Sequence, residues 1–256
     1  MTGRDFFLHV KVAIERVRAA ARPGAQPISV EDLLKHGGSR NVVDAFHSLW
    51  YASEAPAAVH WQGHPILKSP FDLWMYQELI VTARPDVIIE TGTHRGGSAL
   101  FFADMAQIAG HPMDVVTIDF NPKIDYDPGP HRITSIRGIS TADSTFGQVR
   151  AVLDGKSCSR ERRVMVVLDS DHSKQNVMRE LRLYADLVTP GQWLVVEDTN
   201  VNGHPVLPEH GEGPYEAVEE FLSGNPPFTR DLSCERFLFT QNPGGWLRRL
   251  QPQEGP

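Results

Sequence analysis

The chain carries 256 residues, 41% hydrophobic and 22% charged, with 21 glycines and 19 prolines spread along its length. That suits one sizeable α/β domain with an N-terminal elaboration and excludes low complexity or wholesale disorder. A formal net charge of −7 argues against general nucleic-acid binding, which needs a basic face, and leaves any anionic small substrate to a local basic pocket.

The two cysteines, Cys158 and Cys234, stand far apart and in no paired motif. They read as reduced thiols of a cytoplasmic protein, so neither a disulfide framework nor a thiolate zinc site is expected. No apolar run approaches the roughly 20 residues a membrane span needs. Arg4, Asp5, Lys11, Glu15, Arg16 and Arg18 interrupt any signal-peptide core near the start.

In chain order, Phe7, Val10, Ile14 and Val17 recur at helical spacing until Pro23 and Gly24. Ser29 followed by Asp32 reads as an N-cap with an acidic third position, and Asn41 opens a third helix through Val42, Phe46 and Trp50. Residues 1–58 are thus expected to form a helical extension that packs on the main domain, on another subunit of a homo-oligomer, or over a substrate. The main domain is expected over 59–256. It begins with a glycine- and proline-broken loop or short hairpin over 59–70, and Asp72 is expected to cap a helix reaching Ala83.

After Pro85 the rhythm becomes strand, helix, strand. Short apolar runs over 86–91, 115–119, 133–138, 164–169 and 193–197 predict buried strands. Helices are expected between them over 96–109, 143–153 and 173–188. Continuous apolar strands alternating with helices specify a doubly wound, Rossmann-like α/β sheet, mostly parallel and covered on both faces. Residues 228–232 and 236–240 read as a final pair of strands, close enough in sequence to bring in an antiparallel last strand.

Ligands of such sheets bind beyond the carboxyl ends of the strands. The first strand ends in Glu90-Thr91-Gly92-Thr93-His94-Arg95-Gly96-Gly97-Ser98. A P-loop needs Gly-Lys-Ser/Thr, and a dinucleotide fingerprint needs G-x-G-x-x-G; neither is present. The remaining fit is acidic-x-G-x-x-x-G, the first motif of S-adenosylmethionine (SAM) methyltransferases of class I. There the glycine loop runs under the methionine part of the cofactor and a helix start offers free N–H groups. Glu90, Gly92, Thr93, Gly97 and Ser98 are therefore cofactor-binding candidates. Asp119, at the end of the second strand, is placed to accept the ribose hydroxyls. Gly138-Ile139-Ser140 ends the third strand where adenine is expected, with Ser140 as the candidate contact.

Two further strands run straight into acids, Leu168-Asp169-Ser170-Asp171-His172 and Val195-Val196-Glu197-Asp198-Thr199. Asp169, Glu197 and Asp198 on neighbouring strands would lie together and repel unless a proton or cation intervenes. All-oxygen ligation suits Mg²⁺, Mn²⁺ or Ca²⁺. His172 beside them is a candidate general base for O-methylation, with Asp171 as its orienting partner or as the base itself.

The stretches LKSPFDLWMYQELI, DVIIETGTHRGGSALFFADM, VVLDSDHS, LVVEDTNVNGHPV, GPYEAVEEFL and FLFTQNPGGWLRR run in collinear order from about Trp61 to Leu250. They resemble the cephalosporin hydroxylase family, which includes rhamnosyl O-methyltransferases that decorate antibiotics and other secondary metabolites. The resemblance implies a SAM-binding domain, a Mg²⁺ site on Asp169, Glu197 and Asp198, and methyl transfer to a deoxysugar hydroxyl. It also places cofactor contacts on Glu90, Gly92, Ser98 and Asp119. The hydroxylation in the family's name finds no 2-His-1-carboxylate spacing here.

The expected reaction is thus O-methylation of a rhamnose-like 6-deoxyhexose, nucleotide-linked or attached to an aglycone, with no nucleic-acid or membrane partner. His60, Trp61, His64, Lys68 and Arg95 are expected near the mouth, within reach of a diphosphate. The loop over 200–214, with His204 and His210, is a candidate acceptor lid. Two other readings stay open: a metal-dependent methyltransferase of a catechol or polyketide phenol, and a non-catalytic SAM-binding accessory subunit.

Overall fold

The computed structural model describes residues 38–53, 55–155 and 162–252. The first two expected helices, the Ser29 cap and Cys158 lie outside the described residues. The chain divides into two units, Met1–Glu54 and Ala55–Pro256. In the first, helix α1 spans Gly38–Ala52, opening ahead of Asn41 and carrying the Phe46 and Trp50 rings one turn apart at 6.5 Å.

The second unit opens with a two-stranded hairpin, β1 (His60–Trp61) antiparallel to β2 (His64–Pro65). Its two turn residues, Gln62 and Gly63, both adopt positive φ (49° and 88°), as a tight hairpin turn requires. Helix α2 (Pro70–Ala83) follows. Its N-cap is Ser69 rather than Asp72: the serine oxygen accepts the Asp72 N–H, and Pro70 fills the first helical position. The Asp72 carboxylate turns inward instead. It accepts hydrogen bonds from Ser69 Oγ, Thr240 Oγ1 and the Gln241 N–H.

Seven strands form the main sheet: β3 (Val87–Thr91), β4 (Asp114–Asp119), β5 (Arg132–Arg137), β6 (Val164–Leu168), β7 (Trp193–Val196), β8 (Phe228–Arg230) and β9 (Trp246–Arg249). Their order is β5-β4-β3-β6-β7-β9-β8. The first five are parallel, and β9 runs antiparallel to both neighbours. Strand β3 is buried throughout, and its alternate side chains serve two cores. Ile88 joins Tyr76 of α2 and Phe102 of α3 (Gly97–Ile108) on one face. Val87 and Ile89 join Val149 of α4 (Asp143–Asp154), Leu181 of α5 (Lys174–Tyr184) and Ala217 of α6 (Pro214–Ser223) on the other.

The expected strand over 236–240 is not formed. A 3₁₀ turn at Leu232–Glu235 runs directly into that stretch, and Leu238 takes a left-handed φ of 68° that breaks any extended run. The antiparallel strand is Trp246–Arg249 instead. Gly245 makes its docking possible, because a Cβ there would lie 2.2 Å from the Val196 carbonyl oxygen.

Strand order grows outward from β3 through β4 to β5 and then restarts on the other side at β6 and β7. The crevice between β3 and β6 is therefore the topological switch point, where a doubly wound sheet binds ligands.

Candidate active site

A cavity of about 800 Å³ opens at the carboxyl ends of β3 to β7. Its first wall is the loop leaving β3. Gly92 (φ 89°) donates its N–H to Ile118 O at 2.7 Å, and a Cβ on it would lie 1.7 Å from the Asp169 carbonyl oxygen. Only glycine fits between the exits of β4 and β6. Gly96 (φ 77°) starts α3, and Gly97 sits against the Pro65 carbonyl, where a Cβ would come within 2.2 Å. Gly92, Thr93, Gly97 and Ser98 all line the cavity.

Glu90 lies beneath this loop, fully buried, with Oε2 accepting Thr117 Oγ1 at 2.8 Å and Oε1 without a partner. Burial pushes its carboxyl up to about 7. Asp119 ends β4 on the cavity wall and ties two loops, accepting the His94 N–H at 2.8 Å and the Asn121 N–H at 2.7 Å. Each oxygen retains a second lone pair for a ligand. Gly138, Ile139 and Ser140 line the far end, where the Ser140 carbonyl is fixed by the Tyr184 hydroxyl at 2.7 Å.

The acids sit across the same cavity. Asp169, Asp198 and His172 each offer one atom within 4.8 Å of the others. His172 Nε2 lies 3.1 Å from Asp198 Oδ2. Asp198 takes a left-handed φ of 52°, an arrangement aspartate tolerates better than most residues, and its N–H donates to Asn242 Oδ1 at 3.0 Å. Glu197 stands at the floor beside them: Lys68 Nζ reaches its Oε2 at 2.7 Å and Tyr76 OH its Oε1 at 2.5 Å. The same ammonium reaches Asp169 Oδ2 at 2.6 Å. Burial raises the carboxyls of Asp169, Glu197 and Asp198 above their usual range, and each acid's neighbours among the three add to it. Burial alone would lower His172, but Asp198, Asp169 and Glu197 outweigh it and hold the imidazole above its usual value.

Several expectations meet a different geometry. Lys68 is not a residue of the mouth; it is buried among the acids. Asp171 lines the cavity, but its carboxylate accepts the Ser173 N–H at 2.8 Å, and the carboxylate in contact with His172 is Asp198. His204 is held off the cavity wall, stacked on Tyr215 at 3.9 Å and paired with Glu216 at 2.9 Å. The loop over 200–214 is anchored at Val201 and Val206, which are buried, and its exposed residues are Gly203 and the tip over 207–212. Trp61 donates to Asp104, while His64 and Arg95 share Asp125. His60 is exposed, its Nδ1 2.9 Å from Ala58 O.

Phe120, Ile139 and Leu67 are exposed apolar side chains on the cavity wall, and Asn176 and Gln241 add amides to it. None was among the sequence candidates. Position alone marks two of them, Phe120 directly after Asp119 and Ile139 between Gly138 and Ser140. Gln241 carries no local signal.

A doubly wound sheet of this order, with a glycine loop at its switch point and an acid ending the next strand, defines a class I SAM-dependent methyltransferase fold. Residues 54–250 match the family described as Rhamnosyl O-methyltransferase/CmcI. A rhamnosyl O-methyltransferase of Mycobacterium leprae is 38% identical over 213 residues, covering 82% of this chain and 91% of that protein. A rhamnosyl O-methyltransferase of Mycobacterium tuberculosis (strain H37Rv) is 35% identical over 210 residues, covering 81% and 85%. A solved structure of CmcI with Mg and SAM superposes with a TM-score of 0.60 at 20% identity, covering 90% of this chain and 88% of that one. The chain belongs to the rhamnosyl O-methyltransferase/CmcI family, and it is a SAM-dependent O-methyltransferase.

Proposed function

We propose that this enzyme methylates a hydroxyl of a rhamnose-like deoxysugar, nucleotide-linked or already part of a glycoside, in the biosynthesis of a secondary metabolite. The observation that carries the reading is that the glycine loop and the cluster of Asp169, His172 and Asp198 line one cavity. The curated relatives named as rhamnosyl O-methyltransferases support the choice of acceptor.

The residues present fit both SAM and a divalent cation. On the cofactor side, Gly92 and Gly97 leave room where a side chain would clash, Glu90 underlies the loop, and Asp119, Ser140 and Phe120 follow towards the far end. On the metal side, three ionised carboxylates and the Lys68 ammonium leave two negative charges, which a divalent cation would balance. Asp169 and Asp198 would hold it from the open face, with Glu197 as the third carboxylate. Bound there, Mg²⁺, Mn²⁺ or Ca²⁺ would supply Lewis-acid stabilisation of an alkoxide.

His172 takes the acceptor's hydroxyl proton, while Asp198, 3.1 Å from its Nε2, stabilises the imidazolium. The acceptor oxygen forms a bond to the methyl carbon of SAM as the carbon–sulfur bond breaks, its electron pair passing to sulfur. The walls contribute by holding acceptor and donor in line.

A SAM turnover assay over a panel of nucleotide-linked and glycosidic deoxysugars, with and without EDTA, tests this directly. Activity is expected to vanish on chelation and return with Mg²⁺ or Mn²⁺, and Asp198→Asn is expected to stay folded and lose activity. Full turnover in excess EDTA would remove the metal, and turnover confined to phenols would replace the sugar.

A further inference from the structure

The acidic cluster contains a cation of its own. Lys68 comes from the connection between β2 and α2 and bridges Asp169 and Glu197. Its side chain is 3% exposed, against 22% for Asp169, 23% for Asp198 and 32% for His172. The ammonium thus forms the floor, and the other three form the open face. Lys68 is absent from the cavity wall that Asp169, His172, Glu197 and Asp198 all line. Glu197 is engaged at both oxygens, by Lys68 and by Tyr76. A buried ammonium needs paired acceptors for its protons, and these two carboxylates provide them.

We propose that Lys68 is a positioning residue of the methyl-transfer site: an internal cation that clamps Asp169 to Glu197 and limits the open face to a divalent ion. The proposal rests on the metal reading above. Without the ammonium, the cluster carries one more uncompensated negative charge, and the Asp169 and Glu197 lone pairs that Lys68 occupies are freed for the cation. Both changes strengthen cation binding. A lysine that merely props the fold has the opposite signature, since its loss loosens the cluster and weakens metal binding.

The test uses the full chain stripped of metal and titrated at mildly alkaline pH, where competing protons are few. Mn²⁺ is followed by the electron paramagnetic resonance of the free ion, and Tb³⁺ by its luminescence. Lys68→Met is expected to bind Mn²⁺ at least about tenfold more tightly than the wild type. The gain for Tb³⁺ is expected to be larger still, while methyl transfer with Mn²⁺ falls. Lys68→Arg, which keeps the charge, is expected to retain wild-type Mn²⁺ affinity. Unchanged or weaker Mn²⁺ binding by folded Lys68→Met overturns the proposal. Should that variant not fold, Lys68→Gln carries the same expectation, and loss of fold in both uncharged variants overturns it in favour of a structural lysine. A wild type that binds no Mn²⁺ removes the metal reading and this proposal together, whereas binding with no response to Lys68→Met removes the proposal alone.

Discussion

An aliphatic hydroxyl is a far weaker acid than a phenol, so its proton must leave as the carbon–oxygen bond forms. A positioned base is worth roughly 10²–10⁴-fold, and His172 is the imidazole on the cavity wall next to Asp198. His172→Ala is therefore expected to slow methylation of a sugar by at least about 100-fold, with SAM affinity by calorimetry nearly unchanged. Wild-type turnover on sugar would place the base elsewhere, and unchanged turnover on a phenol alone would move the enzyme to that acceptor. Asp171→Ala is expected to do much less, because that carboxylate serves the Ser173 N–H. The acids of the site were legible in the sequence because each follows an apolar strand directly. Lys68 was misplaced at the mouth because its partner Asp169 lies 101 positions further on. Only the contact of the β2–α2 connection with the carboxyl ends of β6 and β7 brings them together.

Elements place residues that no local pattern explains. Helix α2 carries Asp72 on its first turn, where acids usually face solvent near the helix dipole. Here the side chain is buried and pins Thr240 and Gln241, so α2 holds part of the cavity wall. Burial pushes the Asp72 carboxyl from 3.8 up to about 6. A raised acid binds its proton more tightly in the folded state, so its contribution to stability is greatest below the unfolded value and declines as pH rises. Between pH 3.8 and about 6 this one group is expected to remove about 3 kcal/mol. Other buried acids share the trend, so the measurement is a difference: urea unfolding of the wild type and Asp72→Asn across that window. The variant is expected to show a flatter pH profile; identical profiles would mean Asp72 does not titrate there. The same scale explains the strand that was misread. Residues 236–240 carry the apolar run Phe237-Leu238-Phe239 that reads as a strand, yet Arg236 closes a 3₁₀ turn and Leu238 is left-handed. The true partner of β7 starts behind Gly244 and Gly245, and the close approach of Gly245 to Val196 is a tertiary fact. Four of the five parallel strands needed no such help, since their runs are largely apolar and buried; β5, expected to be buried, lies at the sheet edge and buries only Ile136.

At the scale of the whole molecule, a ligand that binds only the folded chain stabilises it in proportion to the logarithm of its concentration over Kd. SAM or its demethylated product at a hundredfold excess over Kd should add about 2.7 kcal/mol, roughly 5–10 °C in Tm for a domain of this size. NAD and ATP at equal concentration should add nothing; a shift with either and none with SAM would sink the cofactor assignment. Among the described residues no helix is long and apolar enough to cross a membrane, which matches the absence of a long apolar run in the sequence. Finally, the contact between Gly92 and the Asp169 carbonyl is made by main chain alone, with no room for one carbon between them. The distance from the glycine loop to the acidic cluster, the donor and acceptor sides in the function proposed, is therefore a property of the backbone, indifferent to the side chains around the rim. An inhibitor that joins an adenosyl group to an oxygen chelator has a single best linker length here, and drift of acceptor preference among rim variants would leave that length unchanged.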